Sequence, residues 1–180
     1  MTKQHDRRRL LVGFAGLSLL GGALLGIKDV AFPTAKKPNP GFIARVVKVT
    51  DGDTIHVRQG EKETIVRLAQ IDAPEHDQPF GEAARIWLAR ECSGGEVRIV
   101  ESGKDRYGRT IGDVHLAGRW LNKALVERGY AWHYTRFSQS KELAAAEADA
   151  RKAKRGLWID LDSSSPPVPP WEWRNRQKQK

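Results

Sequence analysis

Two short turn signals between β-branched runs constrain this chain more than any other feature. Phe42–Val49, Thr54–Val57 and Thr64–Leu68 are rich in Val, Ile and Thr, with Asp51-Gly52 and Gln59-Gly60 between them. Connections this short force neighbouring strands to run antiparallel, because a parallel return needs a dozen or more residues. The chain is therefore committed to a β-meander before any helix appears. Gly81–Glu91 then carries Ala84, Ile86, Trp87 and Leu88 at helical spacing. Val97–Val100 and Thr110–Leu116 predict two more strands. Trp120–Arg128 predicts a helix that stops at Gly129. Lys141–Lys154 predicts an alanine-rich helix with Glu147 and Arg151 at i,i+4, stopping at Gly156. Three strands, a helix, two strands and two helices suit a small closed barrel.

The two ends of the chain read differently. Residues 1–9 are a basic leader containing Arg7-Arg8-Arg9, and Leu10–Ile27 is a run of 18 residues without charge. As a helix the run would span about 27 Å, close to the roughly 30 Å of a bilayer core. It is either an uncleaved anchor or the apolar region of a cleaved signal peptide. Its length favours the anchor, and the preceding arginines favour export of the domain. Export then places the domain outside the cytoplasm, tethered to the membrane or released as a periplasmic or secreted protein. Residues 28–41 contain Pro33, Pro38 and Pro40 and read as a linker. Residues 163–180, SSSPPVPP followed by WEWRNRQKQK, read as a Pro-rich, basic extension without fixed structure. The folded domain is placed at 42–162.

The formal net charge is +9, and each end of the chain contributes +3 of it. The domain itself is only mildly basic, so charge alone is a weak argument for a polyanionic partner. With one cysteine, Cys92, an intramolecular disulfide is excluded, and there is no Cys/His cluster for zinc.

Three segments carry chemistry. Asp51-Gly52-Asp53-Thr54 supplies a hairpin turn and sets Asp53 just after it. Arg67-Leu68-Ala69-Gln70-Ile71-Asp72-Ala73-Pro74-Glu75 ends a strand at Asp72, and Pro74 bends the chain so that Glu75 can turn back. Asp53, Asp72 and Glu75 converging without a counter-charge would repel strongly, and a divalent cation would relieve that repulsion. Calcium accepts carboxylate and carbonyl oxygens together, so Asp53, Asp72 and the Ala73 carbonyl form a sensible ligand set. Asp105-Arg106-Tyr107-Gly108-Arg109 holds the glycine a turn needs. It gives Arg109 a fixed place from which a guanidinium can hold a phosphate by paired hydrogen bonds. Tyr107 can stack on a base or sugar, with Arg106 beside it. His56, His76, His115 and His133 are scattered and suggest no common site.

In this order and on these elements, the segments resemble the staphylococcal (thermonuclease) family of nucleases from about Phe42 to Trp158. Asn122-Lys123-Ala124-Leu125-Val126 and Gly156-Leu157-Trp158 extend the likeness. The resemblance implies an α+β, mainly β fold: a five-stranded OB-fold barrel with three helices, here preceded by the N-terminal hydrophobic helix. It implies calcium-dependent endonucleolytic cleavage of DNA and RNA, with Asp53, Asp72 and the Ala73 carbonyl on the calcium. It assigns catalysis to Arg67, Glu75 and Arg109, and substrate contact to Tyr107 with Arg106. A monomer is expected. This sequence departs from the best-known member in three places. Ala73 replaces a threonine, the loop from Glu75 to Gly81 is shorter, and the downstream aromatics read Tyr134-Thr135-Arg136-Phe137. Which ring stacks on the base stays open. Two other classes compete: a non-catalytic binding module on the same barrel, and an anchored adaptor whose working part is the Pro-rich tail.

Overall fold

The computed structural model describes residues 39–179. The leader, Leu10–Ile27 and most of the linker lie outside the described residues. Strands β1 (Phe42–Asp51), β2 (Thr54–Gln59) and β3 (Lys62–Leu68) form the expected meander, each joined to the next by two residues. A two-residue strand β4 (Ile71–Asp72) leads to helix α1 (Gly81–Cys92). Strands β5 (Glu96–Lys104) and β6 (Thr110–Leu116) follow, then the short β7 (Arg119–Trp120) and helix α2 (Leu121–Glu127). A second two-residue strand, β8 (Trp132–His133), pairs antiparallel with β4. Helix α3 (Lys141–Lys152), a 3-10 turn (Gly156–Asp160) and helix α4 (Pro170–Gln177) complete the chain.

The main sheet runs β3-β2-β1-β5-β6-β7 and closes on itself through parallel pairing of β3 with β6, Val66 facing Thr110 and Leu68 facing Gly112. The five long strands thus make the barrel that the turn signals imply, and closure leaves β3 and β6 no free edge along that stretch. Alternation puts Ala44, Val46, Val49, Ile55, Val57, Val66, Leu68, Val97, Ile99 and Val114 inside. Leu88 of α1 and Leu121 and Leu125 of α2 are buried in the same core. The buried Asn122 fastens these layers together. Its side chain accepts from Val114 N–H (2.9 Å) and donates to the carbonyls of Ala69 (2.9 Å) and Gly112 (3.3 Å). Cys92 is buried at the end of α1, its thiol donating to the Leu88 carbonyl at 3.1 Å, and burial pushes it up to about 12.

Helix α2 stops as expected. Gly129 adopts φ +74°, and Gly129 and Tyr130 donate back to the carbonyls of Val126 and Leu125. Helix α3 does not stop at Gly156. Its left-handed terminal residue is Lys154, with Arg155 N–H returning to the Ala150 carbonyl. Gly156 serves a different purpose, because a side chain there would collide with the Gly129 carbonyl. The two glycines let the ends of α2 and α3 meet backbone to backbone, and Leu157 N–H donates to the Gly129 carbonyl at 2.9 Å.

The C-terminal extension also departs from expectation. Residues 170–177 form α4, with Pro170 in the first turn, where a missing N–H costs nothing. Trp171 of α4 packs on a small second core of Trp132, Ala150, Leu157 and Trp158. Tertiary packing thus orders a segment whose composition alone favours disorder.

Candidate active site

Strand register builds the site. Gly52 and Asp53 are the whole β1–β2 connection, and Thr54 is paired with Arg67 across β2 and β3. A Cβ on Gly52 would stand 2.7 Å from the Cβ atoms of both Ala73 and Ala84. Only glycine lets this turn press against the β4 exit and α1, and that approach carries Asp53 to the residues after β4. Asp53 is buried, its Oδ2 accepting Ala73 N–H at 3.0 Å and its Oδ1 accepting the Thr54 hydroxyl at 3.1 Å.

Arg67 joins the acids. Its Nη1 donates to Asp53 Oδ1 and its Nη2 to Asp72 Oδ1, both at 2.6 Å. Burial works against the guanidinium charge, but Asp53 and Asp72 overcome it and hold Arg67 well above its ordinary range. Asp72 is fully buried, and desolvation raises its carboxyl although Arg174 and Arg67 pull the other way. Asp51 Oδ1 accepts Asp53 N–H at 3.1 Å, and burial followed by repulsion from Asp53 pushes Asp51 up to about 7. The loop after Pro74 is pinned by Gln78, whose Oε1 accepts Glu75 N–H at 3.2 Å and whose Nε2 donates to the Val168 carbonyl.

A fifth residue, beyond those the motifs mark, joins the cluster. Arg174 of α4 donates from Nη2 to Asp72 Oδ2 (2.7 Å) and from Nη1 to Glu75 Oε1 (2.6 Å) and Asp72 Oδ1 (3.2 Å). The carboxylates therefore face two guanidinium groups. Among the described residues, no three Asp, Glu, His or Cys side chains converge into a ready ligand set. The expected counter-charge is present, but it comes from Arg67 and Arg174. The donor types still fit a hard cation: Asp53, Asp72, Glu75 and the Ala73 carbonyl offer only oxygen, and two arginines offset only half of four nearby acids, Asp51 included. Coordination through Asp72 would require Arg174 to withdraw.

The second half of the predicted site lies on the β5–β6 turn. Asp105 organises it, its Oδ1 accepting the N–H groups of Tyr107 (2.9 Å) and Arg109 (3.0 Å) and its Oδ2 accepting Arg109 Nε at 2.7 Å. Desolvation alone would raise the Asp105 carboxyl, but the hydrogen bonds from Arg109 and Tyr107 outweigh it and hold it below its ordinary range. Tyr107 is 69% exposed. Arg106 lies 4.8 Å and Arg109 5.7 Å from its ring centre, and Arg106 Nη2 donates to its hydroxyl at 2.6 Å. Tyr107 and Arg109 line a groove of about 440 Å³ with Lys62, Ile65 and Lys104, and Asp53, Asp72 and Glu75 are not part of its lining. The structure thus brings Arg67, Asp53, Asp72 and Glu75 together and holds Arg109 in a separate pair. His76 is exposed beside Glu82 at 3.6 Å, and His56 lies beside Glu63.

The aromatic question is sharpened as well. Tyr134 N–H donates to the Gln70 carbonyl next to β4, and the Tyr134 ring lies parallel to Trp171, with centres 5.1 Å apart and an interplanar angle of 2°. Phe137 meets Tyr134 edge-on and is largely exposed.

Comparison with known proteins decides the family. The family model "Staphylococcal nuclease homologue" matches residues 65–160. An "Uncharacterized endonuclease" of Escherichia coli O157:H7 is 40% identical over 134 residues, 74% of this chain and 85% of the relative. The chain belongs to the staphylococcal nuclease family. A "Micrococcal nuclease" of Shigella flexneri is 36% identical over 148 residues, 76% of this chain and 83% of that protein. An "Uncharacterized endonuclease" of Haemophilus influenzae is 38% identical over 135 residues, 74% of each chain. As a staphylococcal nuclease homologue, the domain carries the Arg67-to-Glu75 stretch and the Asp105-to-Arg109 turn within the matched region, whereas α4 lies beyond it.

Proposed function

We propose that this domain is a phosphodiester hydrolase that cleaves DNA, RNA or both as an endonuclease with broad sequence specificity, assisted by calcium. The observation that carries the reading is the half-buried Arg67 bridging the buried Asp53 and Asp72 at 2.6 Å, with Glu75 joined to Asp72 through Arg174. Arg67, held by these acids, and Arg109, one residue before the β6 position paired with Val66, supply the positive charge that an anionic substrate needs. The named relatives are nucleases, which supports nucleic acid as that substrate.

The chain's own groups divide the work. Glu75, with a side chain 38% exposed, is the acid most open to water and orients or deprotonates the attacking molecule. Arg109 exchanges Asp105 for a phosphate and stabilises charge growing on its oxygens. Arg67, fixed by Asp53 and Asp72, holds those acids in place and presents the remaining edge of its guanidinium to the same phosphate. Asp53, Asp72 and the Ala73 carbonyl would hold the calcium. When bound, the cation supplies Lewis acidity and neutralises phosphate charge. Tyr107, with Arg106, offers a ring to a base or sugar.

Export remains part of this proposal. Leu10–Ile27 lies outside the described residues, and among the described residues no helix is long and apolar enough to cross a membrane. The proposed protein is a monomer whose domain works outside the cytoplasm, anchored or released.

The test is cleavage of plasmid DNA and RNA side by side, with calcium and with excess chelator, and a Glu75→Gln control. Calcium-dependent cleavage lost in Glu75→Gln is expected. Full activity in chelator would remove the metal role, and no cleavage of either polymer would favour the binding-module alternative.

A further inference from the structure

Helix α4 makes two unrelated kinds of contact with the site, and both duplicate what a substrate complex would need. Arg174 places a positive charge on both oxygens of Asp72 and on Glu75. The Asp72 oxygens are ones that a hard cation would have to reach, and Glu75 is the acid that would act on water. One helical turn earlier, Trp171 lies flat against Tyr134 and edge-on to Trp132, with centres 5.8 Å apart. Stacking on an exposed ring is how a nucleobase is gripped without sequence preference. Two further bonds fasten the segment to the loop after Pro74: Trp173 Nε1 to Asp77 at 3.2 Å, and Gln78 Nε2 to the Val168 carbonyl.

We propose that α4 is an autoinhibitory strap, in which Arg174 occupies the cation's place at Asp72 and covers Glu75 while Trp171 occupies the base's place on Tyr134. The inference rests on the nuclease reading for its substrate and on the carboxylates for its metal. Release of Arg174 leaves the buried Asp72 charge short of a partner, so release and cation binding are coupled. By reciprocity, the cation loosens the strap by the same factor that the strap weakens the cation. The tether of serines and prolines from Ser163 to Pro169 keeps the helix at high local concentration, so the strap recloses once the site empties.

The experiment measures calcium binding by titration calorimetry on the purified full chain, in wild type, Arg174→Ala and Trp171→Ala, with thermal melts to verify folding. Arg174→Ala is expected to bind calcium on the order of tenfold tighter, because the competing charge is gone. Trp171→Ala, which leaves every carboxylate partner in place, is expected to shift affinity the same way by a smaller factor. Adding calcium with a non-cleavable oligonucleotide to wild type should change the tryptophan emission, and a Trp171→Phe variant should show a smaller change. Equal or weaker calcium binding in both alanine variants overturns the strap, as does the absence of calcium binding in all three proteins. Tighter binding in the variants with no cleavage of DNA or RNA retains the strap and sinks the nuclease reading.

Discussion

Arg67 and Arg109 each meet an aspartate, but Arg67 does so inside the barrel end and Arg109 on a turn at its rim. Arg67 bridges two buried acids, and its side chain is 20% exposed. Arg109 has one partner, Asp105, four residues earlier on the same turn. A buried pair fixes shape, because losing either member strands an uncompensated charge. The Arg109–Asp105 pair, with side chains 27% and 15% exposed, does not seal its carboxylate as Asp53 and Asp72 are sealed, and can trade it for another anion. One family of residues thus serves two purposes: the first arginine makes the site, and the second is free to use it.

The contrast can be broken most sharply at Arg67. Arg67→Ala should abolish cleavage and cost about 3–5 kcal/mol of stability, since the buried Asp53 would lose its guanidinium partner and Asp72 would keep only Arg174. A denaturant melt within about 1 kcal/mol of wild type would mean that the buried pair is not structural. Arg109→Ala should lower turnover on the order of 10³-fold, by analogy with other phosphoryl enzymes, with stability changed by no more than about 1 kcal/mol. Equal turnover in the folded variant would remove Arg109 from the mechanism. Tyr107→Ala should act mainly on KM, raising it by a factor of about 10, with the melt unchanged. A fall in kcat at constant KM would give the ring a different role.

A last pair of variants separates the two regions by sign. In chelator, Asp51 has a folded value of about 7 against an ordinary 3.8, so its contribution is fully present below 3.8 and lost as pH rises through about 7. Asp105 is shifted the other way. Its contribution is present above 3.8 and lost as pH falls through its lower folded value. Stability measured against pH should therefore lose part of its decline between about 3.8 and 7 in Asp51→Asn and part of its acidic decline in Asp105→Asn. The reverse assignment would refute the picture of a crowded interior cluster and a solvated turn.

The sequence marks most of this because short turns and hairpin register are local. Asp51-Gly52 and Gln59-Gly60 dictate the meander, and the meander dictates that Thr54 faces Arg67. Asp53, Asp72 and Glu75 follow from the same local logic. What local pattern does not carry is partnership across the chain. Arg174 reaches Asp72 over 102 residues, and nothing within α4 announces it: the helix has no continuous apolar stripe and follows a proline-rich tether. The signal available was two tryptophans, Trp171 and Trp173, in an otherwise polar tail. Large aromatic rings in such a tail call for a surface to cover. The two-residue strands β4 and β8 were equally invisible, since a pair that short is defined only by its partner. In the sequence Asp105 is one letter of a motif, and its role in folding the turn that carries Arg109 emerges only from its hydrogen bonds.

Cys92 has a consequence beyond packing. Its thiol is sealed behind α1 and held protonated far above neutral pH, so the reactive thiolate is scarce and out of reach. A folded molecule can pass through oxidising surroundings without cross-linking to its neighbours. The same residue becomes a stopwatch for unfolding, because a thiol-specific reagent can mark only those molecules whose core has opened.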